Sequence, residues 1–320
     1  MPLPTFVNVL PKKLQRLMKF KSGYAPYRFI VNNWQKVGDL DIASRLLDTQ
    51  LFERNLVAAP LPLEQMRSIL VLAPHQDDEA IGAGGTLLLA QKAGVALHVM
   101  FITDGRPRKI TRDGTTPKEV VEIRRREAAG VCQQLGASMH CLDINNVAMN
   151  PSLDDIDRLA DTISQVAPQV ILLPWLLDTP KHRIVSHLLW LCHLRRPLPQ
   201  CEIWGYQVHN TLLPNGYIDI TDVADEKSKL IQRYDSQIKY VRRYDHMAMG
   251  MNAWNCRFLP DYKADLVERY IEIFCALPLL SHLELVESFY LPDLQAIYRG
   301  MSVYEGMLRI HKEVTSSQPH

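Results

Sequence analysis

The chain has 320 residues, 47% of them hydrophobic and 22% charged, and a formal net charge of +1. That composition fits a globular protein with a sizeable core, and the near-neutral balance gives no electrostatic ground for a nucleic-acid partner. Apolar runs are broken by charge or proline well short of a membrane span, which excludes a transmembrane segment by pattern. The six cysteines (Cys132, Cys141, Cys192, Cys201, Cys256, Cys275) are scattered and form no C-x-x-C pair. They read as reduced thiols and place the protein in the cytoplasm.

Residues 1–65 read as an N-terminal helical extension. Lys12, Lys13, Arg16, Lys19 and Lys21 are interleaved with Leu10, Leu14, Leu17, Met18 and Phe20. There is no uninterrupted apolar stretch of the kind a signal peptide needs. The pattern fits a solvated basic helix packed on the domain; a helix of this kind can also rest peripherally on an anionic membrane. Leu40, Ile42, Leu46, Leu47, Leu51 and Phe52 follow helical spacing.

Strands and helices then alternate. A buried-type strand is predicted over 68–73, a short helix over 86–93 and a second strand over 96–103. A long helix over 118–135 stops at Gly136. A short strand (139–142), a helix (153–166), a strand (170–174), a helix (183–194) and a strand (202–208) follow. Such alternation implies parallel βαβ units, hence an α/β fold with a Rossmann-like, mostly parallel sheet between helices. Beyond about 225 the pattern is mainly helical, over 225–240, 264–274 and 294–311. The expected organisation is an extension (1–65), a catalytic domain (66–245) and a mainly helical region (246–320) packed on it.

Chemistry concentrates in Pro74-His75-Gln76-Asp77-Asp78-Glu79, directly after the first strand. In open α/β sheets, sites are built at the carboxyl ends of strands. His75 and Asp78 are three apart and can converge on one divalent ion from a turn. A third ligand should come from another strand end. His182, expected in a loop between the 170–174 strand and the next helix, is the best candidate; His187, one turn deeper, is the alternative. Asp77 cannot point the same way as Asp78 and is free to act as a general base on water. The blander readings are a satisfied structural histidine and an Asp-Asp helix cap.

The segment from Pro74 to Glu79, followed by Ala80-Ile81-Gly82-Ala83-Gly84-Gly85-Thr86, resembles the first motif of the LmbE/PIG-L family of zinc-dependent N-acetylglucosaminyl deacetylases, with Gln76 where proline is usual. Thr103-Asp104-Gly105, then Arg124 to Glu127 with Ala129, then Trp204 to Val208, Ile218 to Thr221, Lys227 and Ser236-Gln237 resemble its later segments in order. The resemblance spans about residues 66–240. It implies zinc on His75, Asp78 and His182, with Asp77 as base. It also implies an N-acetylated amino sugar or sugar conjugate as substrate, with acetate as one product. Two positions depart from the family's H-P-D-H: Thr179 and Lys181 stand for histidine and aspartate. The leaving amine then needs another proton donor, such as Lys181, Asp178 or His209. Protonated Asp77 on the return step needs no further residue and is preferred. The alternative is a degenerate member that binds sugar or metal without turnover.

Other candidates are weaker. Gly82-Ala83-Gly84-Gly85 is not in register for a dinucleotide loop, and the acidic run before it would repel a pyrophosphate. Those glycines are expected to permit close backbone approach and to start the helix. Arg106 is a candidate for binding a substrate hydroxyl or phosphate, in a loop made basic by Arg108, Lys109 and Arg112. Trp204 and Tyr206 are expected on opposite faces of one strand, Tyr206 as a candidate for the pocket wall and the other residue in the core. Asp104 is expected to orient a ligand histidine. Met247, Met249 and Met251 suggest a loop or lid.

Overall fold

The computed structural model describes residues 58–210, 212, 214–240, 243–259, 267–298 and 303–316. The expectations for the basic N-terminal stretch and the leucine-rich segment after it lie outside the described residues.

A single eight-stranded sheet organises the described chain. Its strands are β1 (Ala59–Pro60), β2 (Ser68–Ala73), β3 (Ala96–Thr103), β4 (Ser138–Ile144), β5 (Val170–Pro174), β6 (Glu202–Tyr206), β7 (Gly216–Asp219) and β8 (Ile271–Pro278). Their order is β1-β7-β8-β6-β5-β2-β3-β4. The run from β6 to β4 is parallel throughout, and β8 lies antiparallel between β6 and β7. The central strands are nearly all apolar because both faces of the sheet are covered. On β2, Leu70 and Leu72 enter one core; Ile69, Val71 and Ala73 enter the other.

Helices α1 (Asp78–Lys92), α2 (Pro117–Leu135), α5 (Ala224–Gln232) and α7 (Tyr244–Trp254) contribute to one core, with α6 (Asp235–Tyr240) between the last two in sequence. Helices α3 (Leu153–Val166), α4 (Pro180–Arg195), α8 (Leu279–Phe289), α9 (Leu294–Ile297) and α10 (Val303–Ser316) contribute to the other. Local chemistry sets several ends. Thr116 with Glu119, and Ser152 with Asp155, form capping boxes at the starts of α2 and α3. Gly136 closes α2 with a left-handed φ of 60°.

Four expectations need correction. First, 264–274 does not form a helix where it is described: Ile271–Pro278 is a strand of the main sheet. Ile271, Ile273, Cys275 and Leu277 pack on one face and Phe274 on the other, so the segment obeys a period of two. Glu272 disguised it, because this carboxylate marks a buried ion pair, not a solvent face. It receives Lys227 Nζ at 2.6 Å and the backbone N–H groups of Gly85 and Thr86 at 2.8 Å. The sheet therefore draws on residues from both sides of position 245.

Second, α1 begins at Asp78 rather than eight residues later, and the glycines lie inside it. A methyl group at Gly82 would overlap the Tyr206 ring, and one at Gly85 would stand 2.7 Å from Ile220. These glycines let a helix sit against the sheet. Third, α4 starts at Pro180, so His182 lies in the first helical turn and not in a loop. Fourth, Met247, Met249 and Met251 lie on helix α7, not in a loop.

Candidate active site

Strand β2 is flanked by β3 on one side and β5 on the other, so the connections leave it in opposite directions. This is a topological switch point, where a crevice opens at the strands' carboxyl ends. Loops after β2, β3, β4, β5 and β6 all deliver polar side chains there.

The β2 turn supplies His75, Asp77 and Asp78. Asp78 Oδ2 accepts from the His75 backbone N–H at 2.9 Å and lies 3.1 Å from His75 Nδ1. From α4, His182 Nε2 approaches the same oxygen to 3.5 Å. One donor atom from each of His75, Asp78 and His182 falls within 4.8 Å of the others. His187 is not part of this group. It is wholly buried on α4 against Tyr298 and His311, at 2.8 and 3.1 Å.

Partners fix the ring nitrogens. Asn146, after β4, presents Oδ1 to His75 Nε2 at 3.0 Å, while its Nδ2 donates to the Arg106 carbonyl at 3.0 Å. The Arg106 contact sets the amide orientation, so His75 Nε2 carries the proton and Nδ1 turns a lone pair toward Asp78. His182 Nδ1 faces Asp178 Oδ1 at 3.4 Å. Asp178 is itself held by the backbone N–H groups of Thr179, Val208 and His209. Lone pairs from two imidazoles thus converge on a buried carboxylate, an arrangement that calls for a cation at its centre. The same carboxylates also favour a proton on the His182 imidazole, so cation and proton compete for this cluster. Burial alone would lower the His182 pKa, yet the carboxylates of Asp78 and Asp178 push it up to about 9. Burial opposes ionisation of Asp78, but His182 and His75 hold its carboxyl below the usual range. The donor set of two imidazoles and one carboxylate therefore fits a divalent ion.

Asp77 stands apart. Its φ is 138°, a strained conformation for a residue with a side chain. Glu79 secures it by accepting the Asp77 N–H at 3.2 Å, while the Tyr234 hydroxyl donates to Glu79. Arg124 donates to the Gln76 carbonyl at 2.6 Å and to Asp77 Oδ1 at 3.1 Å. Burial raises the Asp77 carboxyl well above its ordinary value, against the pull of Arg124. A raised pKa suits a group that must take up and return a proton.

The remaining predicted residues fall differently. Asp104 touches neither histidine. Its carboxylate accepts from the backbone N–H of Asn146 and of Arg106, both at 3.1 Å, and so acts on His75 only through Asn146. Arg106 Nε is bound to Asp104 at 2.5 Å, with a partly exposed side chain. Tyr206 is 0% exposed and does not line the cleft. It shares a face and a core with Trp204, as residues two apart on a strand must. Sequence reasoning missed Asn146 and Glu79 as site residues. Arg124 and Glu127 were visible only as a helix motif. Arg124 holds Asp77, and Glu127 accepts from Ser236 N–H at 2.8 Å and Oγ–H at 2.7 Å. Gly105, Arg124, Ser236 and Gln237 border an adjoining cavity of about 500 Å³, large enough for a sugar unit.

Residues 70–193 match the family PIG-L, described as GlcNAc-PI de-N-acetylase. The chain is 29% identical to 4-oxalmesaconate hydratase of Pseudomonas putida over 57% of this chain and 79% of the relative. It is 27% identical to diacetylchitobiose deacetylase of Thermococcus kodakarensis over 55% of this chain and 72% of the relative. Among solved structures, 4-carboxy-2-hydroxymuconate hydratase of Pseudomonas putida KT2440 superposes with a TM-score of 0.57 at 26% identity. That match covers 66% of this chain and 96% of the other. Among the described residues, no helix is long and apolar enough to cross a membrane.

Proposed function

We propose that the chain, whose residues 70–193 match the PIG-L family, is a metal-dependent hydrolase that removes the N-acetyl group from an amino sugar or sugar conjugate. The observation that carries this reading is the convergence of His75, Asp78 and His182 within 4.8 Å, with a separate buried carboxylate, Asp77, beside them. Relatives named as deacetylases supply the substrate class.

His75 through Nδ1, Asp78 through its carboxylate and His182 through Nε2 would hold the cation, and zinc suits this donor set. A divalent cation there supplies Lewis-acid polarisation of an acyl oxygen and makes water more acidic. Asp77 takes the proton from the attacking water as oxygen adds to the acyl carbon. It returns that proton to the amine nitrogen as the C–N bond breaks, giving acetate and a free amine. One carboxyl in both steps removes the need for an acid at Thr179. Arg124 and Glu79 hold Asp77 in place, and Asn146 and Asp178 set the two imidazoles. Acetate release from N-acetylglucosamine conjugates, equal in amount to the amine formed, is the direct test. Release that continues unchanged in Asp77→Asn would contradict the role of that carboxyl.

One observation favours a second reading. The match to 4-oxalmesaconate hydratase covers more of that relative than the deacetylase match does, 79% against 72%, and Thr179 lacks an imidazole. In this reading the same residues add water across a carbon–carbon double bond. Loss of the ultraviolet absorbance of an unsaturated tricarboxylic acid, without acetate release from any sugar, would favour it.

A further inference from the structure

Most cations around the cleft have their charge matched. Arg124 meets Asp77 at 3.1 Å, Arg106 meets Asp104 at 2.5 Å and Arg125 meets Asp143 at 2.7 Å. Lys181 differs. Its Nζ reaches only the backbone carbonyl and Oδ1 of Asn146, each at 3.3 Å. Both are neutral acceptors at long range, and no carboxylate pairs with this ammonium among the described residues. Lys181 is half-buried, so part of its hydration is lost without an ionic partner in return. An ammonium has three donors, and two weak bonds leave it open to a stronger acceptor.

Its surroundings add positive potential. Lys181 occupies the first turn of α4, at the positive end of a 16-residue helix whose N-cap, Thr179, makes no side-chain cap. Arg108 and Arg124 both lie close enough to act on it through their charge. The carboxylates of Asp77 and Asp78 belong to the β2 turn, on a different element from Lys181. A substrate with an anionic end would therefore be oriented, its neutral acyl end toward the carboxylates and its charge toward Lys181. Lys181 meets the outer side of His75, through Asn146, and not its metal-facing side. Between Nζ and the inward-facing Nδ1 of His75 lie the Asn146 amide oxygen and the width of the imidazole ring.

We infer that Lys181 is a specificity-determining residue that binds an anionic group, a carboxylate or a phosphate, on the substrate. This rests on the reading of the cleft as an acyl-sugar site. The test is calorimetric binding to the metal-loaded full chain, which needs no turnover. The probes are N-acetylglucosamine, N-acetylglucosamine 6-phosphate and N-acetylmuramic acid. At least one anionic sugar should bind about tenfold or more tighter than the neutral one; which one identifies phosphate or carboxylate as the recognised group. Lys181→Met should bring that ratio close to one, and Lys181→Arg should retain a preference. Lys181→Gln replaces the Met variant if its thermal melt shows a folding defect. The inference is overturned if the wild type binds neither anionic sugar more tightly than the neutral one, or if both neutral variants keep its ratio. Binding with anion preference but no acetate release would overturn the deacetylase reading and leave this one standing.

Discussion

Arg124 Nη2 donates both to the Gln76 carbonyl, at 2.6 Å, and to Asp77 Oδ1, at 3.1 Å. One guanidinium thus grips the backbone and the carboxylate of the same turn, in which Asp77 itself has a φ of 138°. Arg124 is the positioning group for the carboxyl that moves the proton. Arg124→Met should lower kcat by about 10²-fold or more, because misplacing a catalytic group is costly even when it is retained. KM should change less. Arg124→Lys should recover only part of the loss, since the shorter side chain must carry its ammonium to where Nη2 meets both acceptors. Steady-state kinetics on the acetylated substrate measure this split.

Asn146 is the partner that fixes which nitrogen of His75 faces inward. Asn146→Ala should weaken metal affinity about 10- to 100-fold, the usual scale for losing an oriented histidine's outer partner. Competition with a chromophoric chelator reads the affinity without reference to turnover.

A buried ion pair joins strand β8 to helix α5, and hydrogen bonds from Gly85 and Thr86 tie its carboxylate to the motif helix α1. Lys227 and Glu272 are both 0% exposed in their side chains, and Glu272 also accepts from Thr86. Removing one partner strands a buried charge. Lys227→Met should destabilise the fold by about 3–5 kcal/mol, and the double variant Lys227→Met with Glu272→Gln by less than the sum of the singles. Urea unfolding of the four species closes the cycle.

Burial, aided by the charge of His311, pushes the His187 pKa from 6.5 down to about 3. The folded state refuses a proton that the unfolded chain accepts. The stability contribution is therefore complete above about 6.5 and is lost as pH falls toward 3. The decline should approach about 1.4 kcal/mol per pH unit for this group where only the unfolded state is protonated. His282, also lowered to about 3 by burial, adds to the same limb. In His187→Gln the slope between pH 6.5 and 4.5 should be shallower, as measured by urea unfolding at successive pH values.

Much of this architecture is legible before any coordinates. The predicted bounds of β2, β3, α3 and β5 match the structure because each is an apolar or capped segment whose local chemistry agrees with its place in the fold. The motif carrying His75, Asp77 and Asp78 is also readable, since its residues lie within one turn. Long-range chemistry hides the rest. Glu272 breaks an apolar run for the sake of Lys227, 45 positions away, and so conceals a strand. Gly82 weakens the helical signal of α1 because Tyr206 needs the space. Asn146 meets His75 across 71 positions, and nothing in its neighbours' spacing announces that contact.

The central claim is that His75, Asp78 and His182 hold one divalent cation while Asp77 moves the proton in N-acetyl hydrolysis. The most direct measurement is metal content per chain, taken alongside acetate release from an N-acetylated amino sugar, in the wild type, His182→Gln and Asp77→Asn. The wild type should carry one ion per chain and release acetate. His182→Gln should lose the ion and the activity together. Asp77→Asn should keep the ion and release acetate about 10²- to 10⁴-fold more slowly. Full metal content in His182→Gln, or acetate release at the wild-type rate in Asp77→Asn, would contradict the account.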